Sequence, residues 1–328
     1  MSRTVLVTGA TGFVGGHLAR RLQRRGDRVR VFVRPGTKAE ALRKEQFEMA
    51  LGELTDAQAV DRAIAGCDIV FHVAAQFRVE GVPEAEFFAV NRDGTRNIFE
   101  AARKHGARRV VHTSTVGVHG AITHPPTGED APLAPIDHYQ RSKLEGEQLA
   151  HAYFRDGQPG SVVRPTGIYG PGDTRFLKLY RAIARQRFVM IGPGTIFYHP
   201  TYIDDLIDGY ELAATHPSAL GQAYIFAGPE YVTLSEYVNR IARALDVPTP
   251  HWRVPMAPVL GAAIACAAVS KILHVEPILY PRRLEFFRHH RAFDISKARR
   301  DLGYQPRIGL DEGIQRTIAW YRQEKLLA

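Results

Sequence analysis

The amino-acid sequence predicts a doubly wound α/β fold, in which helices cover both faces of a parallel sheet. Two observations support this: short apolar runs alternate with amphipathic helical runs through the first half of the chain, and glycines directly follow the first apolar run. Such alternation is typical of parallel sheets. Strands are expected near 4–8, 29–33, 46–51, 68–74, 109–114 and 160–164. Helices are expected near 13–25, 56–65, 84–105 and 138–155.

The later part of the 328-residue chain is less regular. After Arg164, Gly and Pro interrupt the pattern in RPTGIYGPGD and IGPGTIFYHP, which predicts a smaller mixed lobe over 166–328. Residues 1–165 form the predicted sheet domain, and segments near 200–230 return to it. These segments include a helix from about Asp204 and a strand at Gln222–Ala227. Two capping boxes, TDAQ beginning at Thr55 and TLSE beginning at Thr233, predict helix starts.

The composition indicates a folded protein without a disulfide framework. Cys67 and Cys266 lie in different predicted lobes, which also argues against a cysteine metal site. The formal charge is +9, but the arginines are dispersed in pairs rather than gathered in one stripe, so nucleic acid is not an expected partner. Strand-like sequence begins at Thr4 and leaves no room for a secretory signal, which predicts a cytoplasmic protein.

One long apolar run extends over Pro255–Leu273. Two prolines and a lysine interrupt it, so it is marginal for spanning a bilayer. We expect a helix over a ligand cleft in preference to a contact with a membrane.

The first predicted strand leads into TGATGFVGGHLA, which places Gly9, Gly12 and Gly15 three residues apart at a β-to-α turn. Glycine there permits a tight turn and lets backbone amides reach a pyrophosphate at the helix N-terminus. The sequence therefore predicts a Rossmann-type dinucleotide-binding domain. Where NAD enzymes carry an acidic residue after the second strand, this chain has Arg34, with Lys38 nearby. A guanidinium suits a 2′-phosphate, so NADP(H) is favoured over NAD(H).

Tyr139 and Lys143 lie four residues apart on a predicted helix and therefore share one face. A nearby cation lowers the pKa of a phenol and makes it a better base at neutral pH. The same spacing recurs at Tyr321 and Lys325, near the end of the chain, where a surface position is expected. Spacing alone therefore does not identify a catalytic pair.

Further motifs follow in order along the chain. They are TGATGFVG from Thr8, GELTD from Gly52, HVAA from His72, NRDGTRN from Asn91, TSTVGVHG from Thr113, RPTGIYGPGD from Arg164 and YIDDL from Tyr202. With the Tyr139–Lys143 pair, they make the sequence resemble the extended short-chain dehydrogenase/reductases. This group includes NAD(P)-dependent epimerases and dehydratases, 3β-hydroxysteroid dehydrogenases and dihydroflavonol reductases. The resemblance implies an NAD(P)-binding first domain and a mainly substrate-binding second lobe.

The resemblance also implies roles for individual residues. Tyr139 would be the general acid/base, and Lys143 would hold the nicotinamide ribose and favour the tyrosinate. Thr115 aligns with the Ser or Thr that hydrogen-bonds the reacting oxygen, with Ser114 as the alternative. The expected cofactor contacts are Gly9, Thr11, Gly12, Phe13, Val14, Gly15, Arg34, Lys38, Glu53, Leu54, Ala74, Ala75, Asn91, Thr113, Tyr139, Lys143, Pro165 and Ile168. The expected substrate contacts are Gln76, Thr115, Thr166, Tyr169 and Arg175.

Two residues depart from the family pattern, since Glu53 replaces the more usual aspartate and His119 replaces a tyrosine. A lone histidine is usually structural, and we expect that of His119. No HExxH helix and no G-x-S-x-G elbow occur in the sequence, so neither a metal site nor a hydrolase site is expected.

Two reactions fit this scaffold. We favour an NADP(H)-dependent oxidoreductase that interconverts an alcohol and a carbonyl on an apolar, steroid-like or hydroxyketone substrate. The alternative is a nucleotide-sugar epimerase or dehydratase with tightly bound NAD(H). Arg34 and the apolar run favour the former, whereas Arg175, Lys178 and Arg181 could bind a diphosphate. A silent NADP-binding sensor is disfavoured by the intact Tyr, Lys and Thr, and the resemblance further implies a homodimer.

Overall fold

The centre of the protein is a seven-stranded parallel sheet with the order β11-β6-β5-β4-β1-β2-β3. A computed structural model describes residues 3–77, 81–273 and 281–327. The strands are β1 (Thr4–Thr8), β2 (Arg28–Val33), β3 (Glu48–Leu51), β4 (Ile69–His72), β5 (Arg109–Thr113), β6 (Gly160–Pro165), β7 (Gly167–Tyr169), β8 (Met190–Ile191), β9 (Phe197–Tyr198), β10 (Pro200–Tyr202), β11 (Ala223–Phe226), β12 (Val232–Thr233) and β13 (Arg253–Val254). The sheet order reverses between β1 and β4, which is where doubly wound sheets open a ligand crevice.

The helices alternate with the strands as the sequence predicts. They are α1 (Phe13–Arg24), α2 (Thr37–Lys44), α3 (Ala57–Ile64), α4 (Glu84–Phe88), α5 (Gly94–Lys104), α6 (His138–Arg155), α7 (Leu177–Ala184), α8 (Ile203–Thr215), α9 (Leu234–Ala244), α10 (Met256–Leu273), α11 (Pro281–Arg288), α12 (Ser296–Leu302) and α13 (Leu310–Gln323). A π-helical turn, Ala89–Asp93, joins α4 to α5.

Two hydrophobic layers hold the helices against the sheet. Val5 and Val7 of β1 pack in one layer with Leu18 of α1. Leu6, between them, packs in the other layer with Ile98 of α5. Successive side chains of a strand point to opposite faces, so one apolar strand serves both layers. The doubly wound α/β fold is therefore confirmed.

The differences from the predicted elements are local. Helix α2 was not expected, since its sequence is mostly polar and only Ala39 and Leu42 are buried. The predicted helix over 84–105 is interrupted by the π-helical turn. The capping box was assigned to the wrong residue: Asp56, not Thr55, caps α3, because its carboxylate accepts the amides of Gln58 and Ala59.

The later part of the chain, which the sequence assigns to a second lobe, contains short strand pairs and helices. Strand β7 pairs with β10, β9 with β12 and β8 with β13. The predicted capping box of α9 is present, since Thr233 accepts the amide of Glu236. The returning strand also forms as expected, and β11 lies beside β6 at the edge of the main sheet.

The second Tyr/Lys pair of the sequence is not on one helical face. Tyr321 is fully buried in α13 and donates to the backbone carbonyl of Asp173 at 2.7 Å. Lys325 is exposed and lies beyond the end of that helix. The expected surface position of Tyr321 was therefore wrong, and the two side chains cannot work together.

The apolar run forms α10, and its side chains Ile264 and Val269 are more than half exposed. Within the described ranges, no helix has the length and apolar character needed to cross a bilayer. The described part of α10 does not line the cleft presented below. Its expected place over the ligand is therefore not observed for the described residues.

Candidate active site

The glycine loop between β1 and α1 forms a narrow backbone cradle. Gly9 has φ +75°, and the Gly12 amide donates to its carbonyl at 2.9 Å. A Cβ on Gly15 would overlap that carbonyl group, so the helix can start this close to the loop only with glycine there. The cradle thus leaves the first amides of α1 directed toward a ligand, as an anion site at a helix N-terminus requires.

A cleft of about 620 Å³ opens in front of this loop, at the carboxyl ends of the strands. Most residues predicted from the sequence line it. From the cofactor set these are Gly9, Thr11, Gly12, Phe13, Val14, Gly15, Arg34, Glu53, Leu54, Ala74, Ala75, Thr113, Tyr139, Lys143, Pro165 and Ile168. From the substrate set they are Gln76, Thr115, Thr166 and Arg175. Lys38, Asn91 and Tyr169 do not line it.

Arg34 lies at one end of the cleft, just after β2, with its side chain exposed. No ion pair joins its guanidinium to another side chain of the described residues. Lys38 is exposed in the first turn of α2 and stands outside the cleft. A free guanidinium at this strand end is available for an anionic group of a ligand.

The other end of the cleft contains Tyr139 and Lys143 on α6. Asp137 caps this helix by accepting the Gln140 amide at 2.7 Å. Lys143 is 2% exposed and donates to the backbone carbonyl of Thr113. Burial lowers the pKa of Lys143 to about 8. Lys143 therefore forms the floor of the cleft beneath Tyr139, which is only half-buried.

Thr115 and Ser114 both line the cleft beside Tyr139. Ser114 is 3% exposed, whereas Thr115 is half-buried and more accessible. The Thr115 hydroxyl oxygen accepts the Gly117 amide at 3.1 Å, at the start of a 3-10 turn. This contact fixes the oxygen and leaves its O–H free to donate to a ligand. The greater exposure of Thr115 favours it over Ser114.

Asn91 lies behind the cleft in the π-helical turn. Its Nδ2 donates to the carbonyl of Gln76 at 3.0 Å and to Ser142 Oγ at 2.9 Å, and its Oδ1 accepts the Gln76 amide at 2.7 Å. It therefore joins the loop after β4 to α6 instead of reaching the cleft. On α6, a Cβ at Gly146 would overlap the Asn91 carbonyl, which shows how closely the two elements approach.

Two predicted substrate residues, Tyr169 and Arg175, make contacts within the protein that limit their use for a ligand. Tyr169 is 3% exposed and packs edge-to-face on Tyr202, away from the cleft. Arg175 does reach the cleft, but its guanidinium binds the buried Asp173 at 2.8 Å and the Ile168 carbonyl at 2.8 Å. Its charge is largely satisfied within the protein, so it is a weak candidate for binding a diphosphate.

Sequence reasoning missed several side chains that line the cleft, among them Phe77 and Tyr210. The exposed Phe77, after β4, packs edge-to-face on Tyr139 with ring centroids 5.2 Å apart. Tyr210, from α8, hydrogen-bonds Thr113 Oγ1 at 2.7 Å. Phe77 directly follows the HVAA motif and Gln76 and could have been inferred from that position. Tyr210 belongs to a distant helix, and no local signal placed it here.

Comparison with known proteins identifies the group to which this architecture belongs. The profile described as "NAD dependent epimerase/dehydratase family" matches residues 5–227. The chain belongs to this family. A protein of Mycobacterium tuberculosis named 3 beta-hydroxysteroid dehydrogenase/Delta 5-->4-isomerase is 32% identical over 97% of this chain and 90% of its own length. The 2-alkyl-3-oxoalkanoate reductase of Stenotrophomonas maltophilia is 32% identical over 96% of this chain and 98% of its own.

Solved structures share the fold of this chain. The crystal structure of gox2253 has a TM-score of 0.84 and 27% identity, with both chains covered completely. MoeE5 in complex with UDP-glucose and NAD has a TM-score of 0.77 and 24% identity, over 98% of this chain and 99% of that one. The resemblance inferred from the motifs is thus confirmed, and the protein is an NAD(P)-dependent enzyme of the extended short-chain dehydrogenase/reductase type.

Proposed function

We propose that the protein is an NADP(H)-dependent oxidoreductase that interconverts an alcohol and a carbonyl on an apolar substrate. The observation that carries this proposal is the arrangement at one end of the cleft. Tyr139 lines the cleft, the buried Lys143 lies one helical turn away on the same face, and the Thr115 hydroxyl lines the same cleft with its oxygen held by the Gly117 amide. The three groups supply an acid/base, a cation and a hydrogen-bond donor to one reacting oxygen.

The cleft fits a dinucleotide. The cradle of Gly9, Gly12 and Gly15 suits the pyrophosphate, because any Cβ on Gly15 would close it. Glu53 and Leu54 would hold the adenine, Ala74 and Ala75 the middle of the molecule, and Pro165 and Ile168 the nicotinamide end. The nicotinamide, when bound, supplies or accepts the hydride.

Proton transfer in this proposal belongs to Tyr139. In carbonyl reduction its phenol donates a proton to the substrate oxygen, and in alcohol oxidation the tyrosinate accepts that proton. The Lys143 ammonium stabilises the tyrosinate, since an opposite charge nearby favours the ionised form. Thr115 donates a hydrogen bond to the same substrate oxygen and orients it. Below the pKa of Lys143, which burial lowers to about 8, the lysine carries the charge that this role needs.

The preference for NADP(H) rests on Arg34. Its guanidinium lines the adenine end of the cleft, lies at the end of β2 and is exposed. A 2′-phosphate at this place would gain charge-assisted hydrogen bonds from it. Lys38, outside the cleft, would add only a screened surface charge.

An apolar substrate is supported by the side chains around Tyr139. Phe77 presents an exposed aromatic ring beside the reacting position. The relatives named 3 beta-hydroxysteroid dehydrogenase and 2-alkyl-3-oxoalkanoate reductase act, by those names, on such compounds. Steroid-like alcohols and long-chain oxo acids are therefore the substrate classes to test first.

A nucleotide-sugar epimerase or dehydratase is the second candidate, because the family carries that description. Such an enzyme needs cations for a sugar diphosphate. Arg175 is bound to Asp173, and Arg181 donates to the Leu326 carbonyl at 2.8 Å. Of the predicted cluster, only Lys178 has an exposed side chain without such a contact, and it does not line the cleft.

The test is NADPH oxidation with a panel of steroid ketones and 2-alkyl-3-oxo acids. Tyr139→Phe should lower kcat/KM by about 10²–10⁴-fold, which is the usual contribution of a general acid. Tyr231→Phe, which removes the hydroxyl of an exposed tyrosine outside the cleft, is the matched control. Equal activity of the wild type and Tyr139→Phe on every active substrate would refute the assignment.

A further inference from the structure

The helix that carries Tyr139 and Lys143 holds a second buried charge, Glu147, one turn beyond Lys143. Glu147 is 1% exposed. Arg164, from β6, is 4% exposed and binds it through Nε, 3.1 Å from Oε1, while its Nη2 contacts the same oxygen. This ion pair is shielded from solvent, so its field is weakly screened at Lys143.

The far side of Arg164 is held by neutral acceptors. Its Nη1 donates to the backbone carbonyl of Glu129 at 3.1 Å and lies 3.2 Å from His119 Nε2. Burial and then the Arg164 charge lower the pKa of His119 to about 4, so this imidazole is neutral and can accept through Nε2. His119, one of the two residues that depart from the family pattern, therefore contacts Arg164 and does not line the cleft.

Lys143 and Glu147 influence one another across one helical turn. Burial lowers the pKa of Lys143, and the Glu147 carboxylate offsets part of that change. Burial opposes the ionisation of Glu147, but His151 and Arg164 together lower its pKa to about 2. Both members of the ion pair are therefore charged at neutral pH. The other titratable groups packed around these charges are His72 and His112 behind Lys143, His151 beside Glu147, and His119 and Glu129 beside Arg164.

We propose that Glu147 and Arg164 are positioning residues whose opposite charges balance the electrostatic potential at Tyr139 and Lys143, and so set the pH range of proton transfer. The proposal rests on the proposed function, since it takes Tyr139 as the acid/base. With the pair intact, the Arg164 charge offsets only part of the effect of the nearer Glu147 carboxylate, which still raises the pKa of Lys143 against the effect of burial. Without Glu147 the potential becomes more positive, and without Arg164 it becomes more negative.

The charge balance predicts that the pH profile of kcat/KM shifts in opposite directions in two single variants. In alcohol oxidation with NADP⁺, the pH profile of kcat/KM has two limbs that belong to the coupled Tyr139–Lys143 pair. Glu147→Gln should move both limbs to lower pH by roughly one unit, because the unpaired Arg164 favours the deprotonated forms. Arg164→Gln should move both limbs to higher pH by a similar amount, roughly one unit.

The double variant Glu147→Gln/Arg164→Gln removes both charges at once. Its limbs should lie between those of the two single variants, because the opposite shifts caused by the two substitutions offset one another when both charges are removed. It also protects the test from misfolding, since breaking a buried pair on one side is more harmful than removing both charges. If only one single variant folds, comparing its pH profile with that of the double variant is sufficient to test the proposal.

Two controls separate the ion pair from its neighbours. Glu145→Gln removes a carboxylate from the same helix at the surface, where Glu145 binds Arg92, and should leave both limbs in place. His151→Gln removes the half-buried imidazole 3.8 Å from Glu147 but leaves the Glu147–Arg164 ion pair intact, so it should shift both limbs less than Glu147→Gln does.

Unchanged limbs in every folded variant, with only a fall in kcat, would overturn the proposal and leave the pair as a structural anchor. Shifts of the same sign in both single variants would overturn it as well. Failure of the proposed function would look different, because Tyr139→Phe would then keep the activity of the wild type.

Discussion

The two halves of the cleft are built in different ways. The cofactor half is formed by backbone: Gly9, Gly12 and Gly15 bring α1 against the loop, and the Thr8 hydroxyl accepts the amides of Val73 and Ala74 at 3.0 Å. The substrate half is formed by side chains such as Phe77, Thr166 and Tyr210, which come from separate parts of the chain. A backbone cradle tolerates little change, whereas a wall of side chains can be altered residue by residue.

The largest effect should come from adding one methyl group to the cradle. In Gly15→Ala, the new Cβ would overlap the Gly9 carbonyl, so the loop must move away from its position. We expect NADPH binding, measured by fluorescence titration, to weaken about 100-fold or more, equivalent to roughly 2.8 kcal/mol.

Gly128→Ala is the matched control for this substitution, since nothing lies within 4 Å of the added Cβ. It should bind NADPH like the wild type. Unchanged affinity in Gly15→Ala would contradict the view that the backbone shapes the cofactor half.

A smaller effect is expected on the free energy of unfolding when either of two buried histidines behind the cleft is replaced. They are His72 on β4 and His112 on β5, and the two substitutions should differ. His72 has hydroxyl partners on both nitrogens, Thr8 at 3.1 Å and Thr95 at 3.0 Å, whereas neither nitrogen of His112 has a partner among the described residues. Burial, followed by the Lys143 charge, lowers the pKa of His72 to about 3 and the pKa of His112 well below its usual value.

Below about pH 6.5, each histidine takes up a proton in the unfolded chain but not in the folded protein, so stability falls as the pH falls. His112→Leu should reduce the slope of the unfolding free energy between pH 6 and 5 by up to about 1.4 kcal/mol per pH unit. His72→Leu should reduce the slope equally but also cost about 1–3 kcal/mol at neutral pH, because the Thr8 hydroxyl, which accepts two backbone amides, loses the acceptor for its own proton. Urea unfolding at a series of pH values measures both, and identical slopes in the wild type and His112→Leu would contradict this prediction.

The smallest effect should come from the substrate half. Phe77→Ala removes the ring that packs on Tyr139 and should raise KM for an apolar ketone about three- to tenfold, as expected for an aromatic contact. The Kd for NADPH should not change. Trp252→Ala, which removes another exposed aromatic side chain outside the cleft, is the control. An equal rise in the Kd for NADPH would show that the two halves are not independent.

The difference between the backbone-built half and the side-chain-built half of the cleft also explains which features the sequence could predict. The glycine spacing, the strand alternation and the Tyr139–Lys143 helix are local patterns, and the structure brings them to one cleft. Tyr210 could not be placed, because only tertiary packing brings α8 to Thr113. Asn91 was expected at the cofactor, but the π-helical turn directs its amide to Ser142 and Gln76. The Glu147–Arg164 pair likewise depends on contact between α6 and β6.

The central claim, a freely exchanging NADP(H) oxidoreductase, is tested most directly by cofactor binding. Purified wild-type protein and Arg34→Ala would be titrated with NADPH and NADH, and any cofactor retained by the untreated protein would be extracted and identified. We expect the wild type to prefer NADPH and to retain little cofactor. Arg34→Ala should lose about 10- to 100-fold in NADPH affinity and keep its affinity for NADH, because only the charge-assisted contact to the 2′-phosphate is lost. Tightly retained NAD, with binding indifferent to Arg34, would contradict the claim and favour an epimerase or dehydratase.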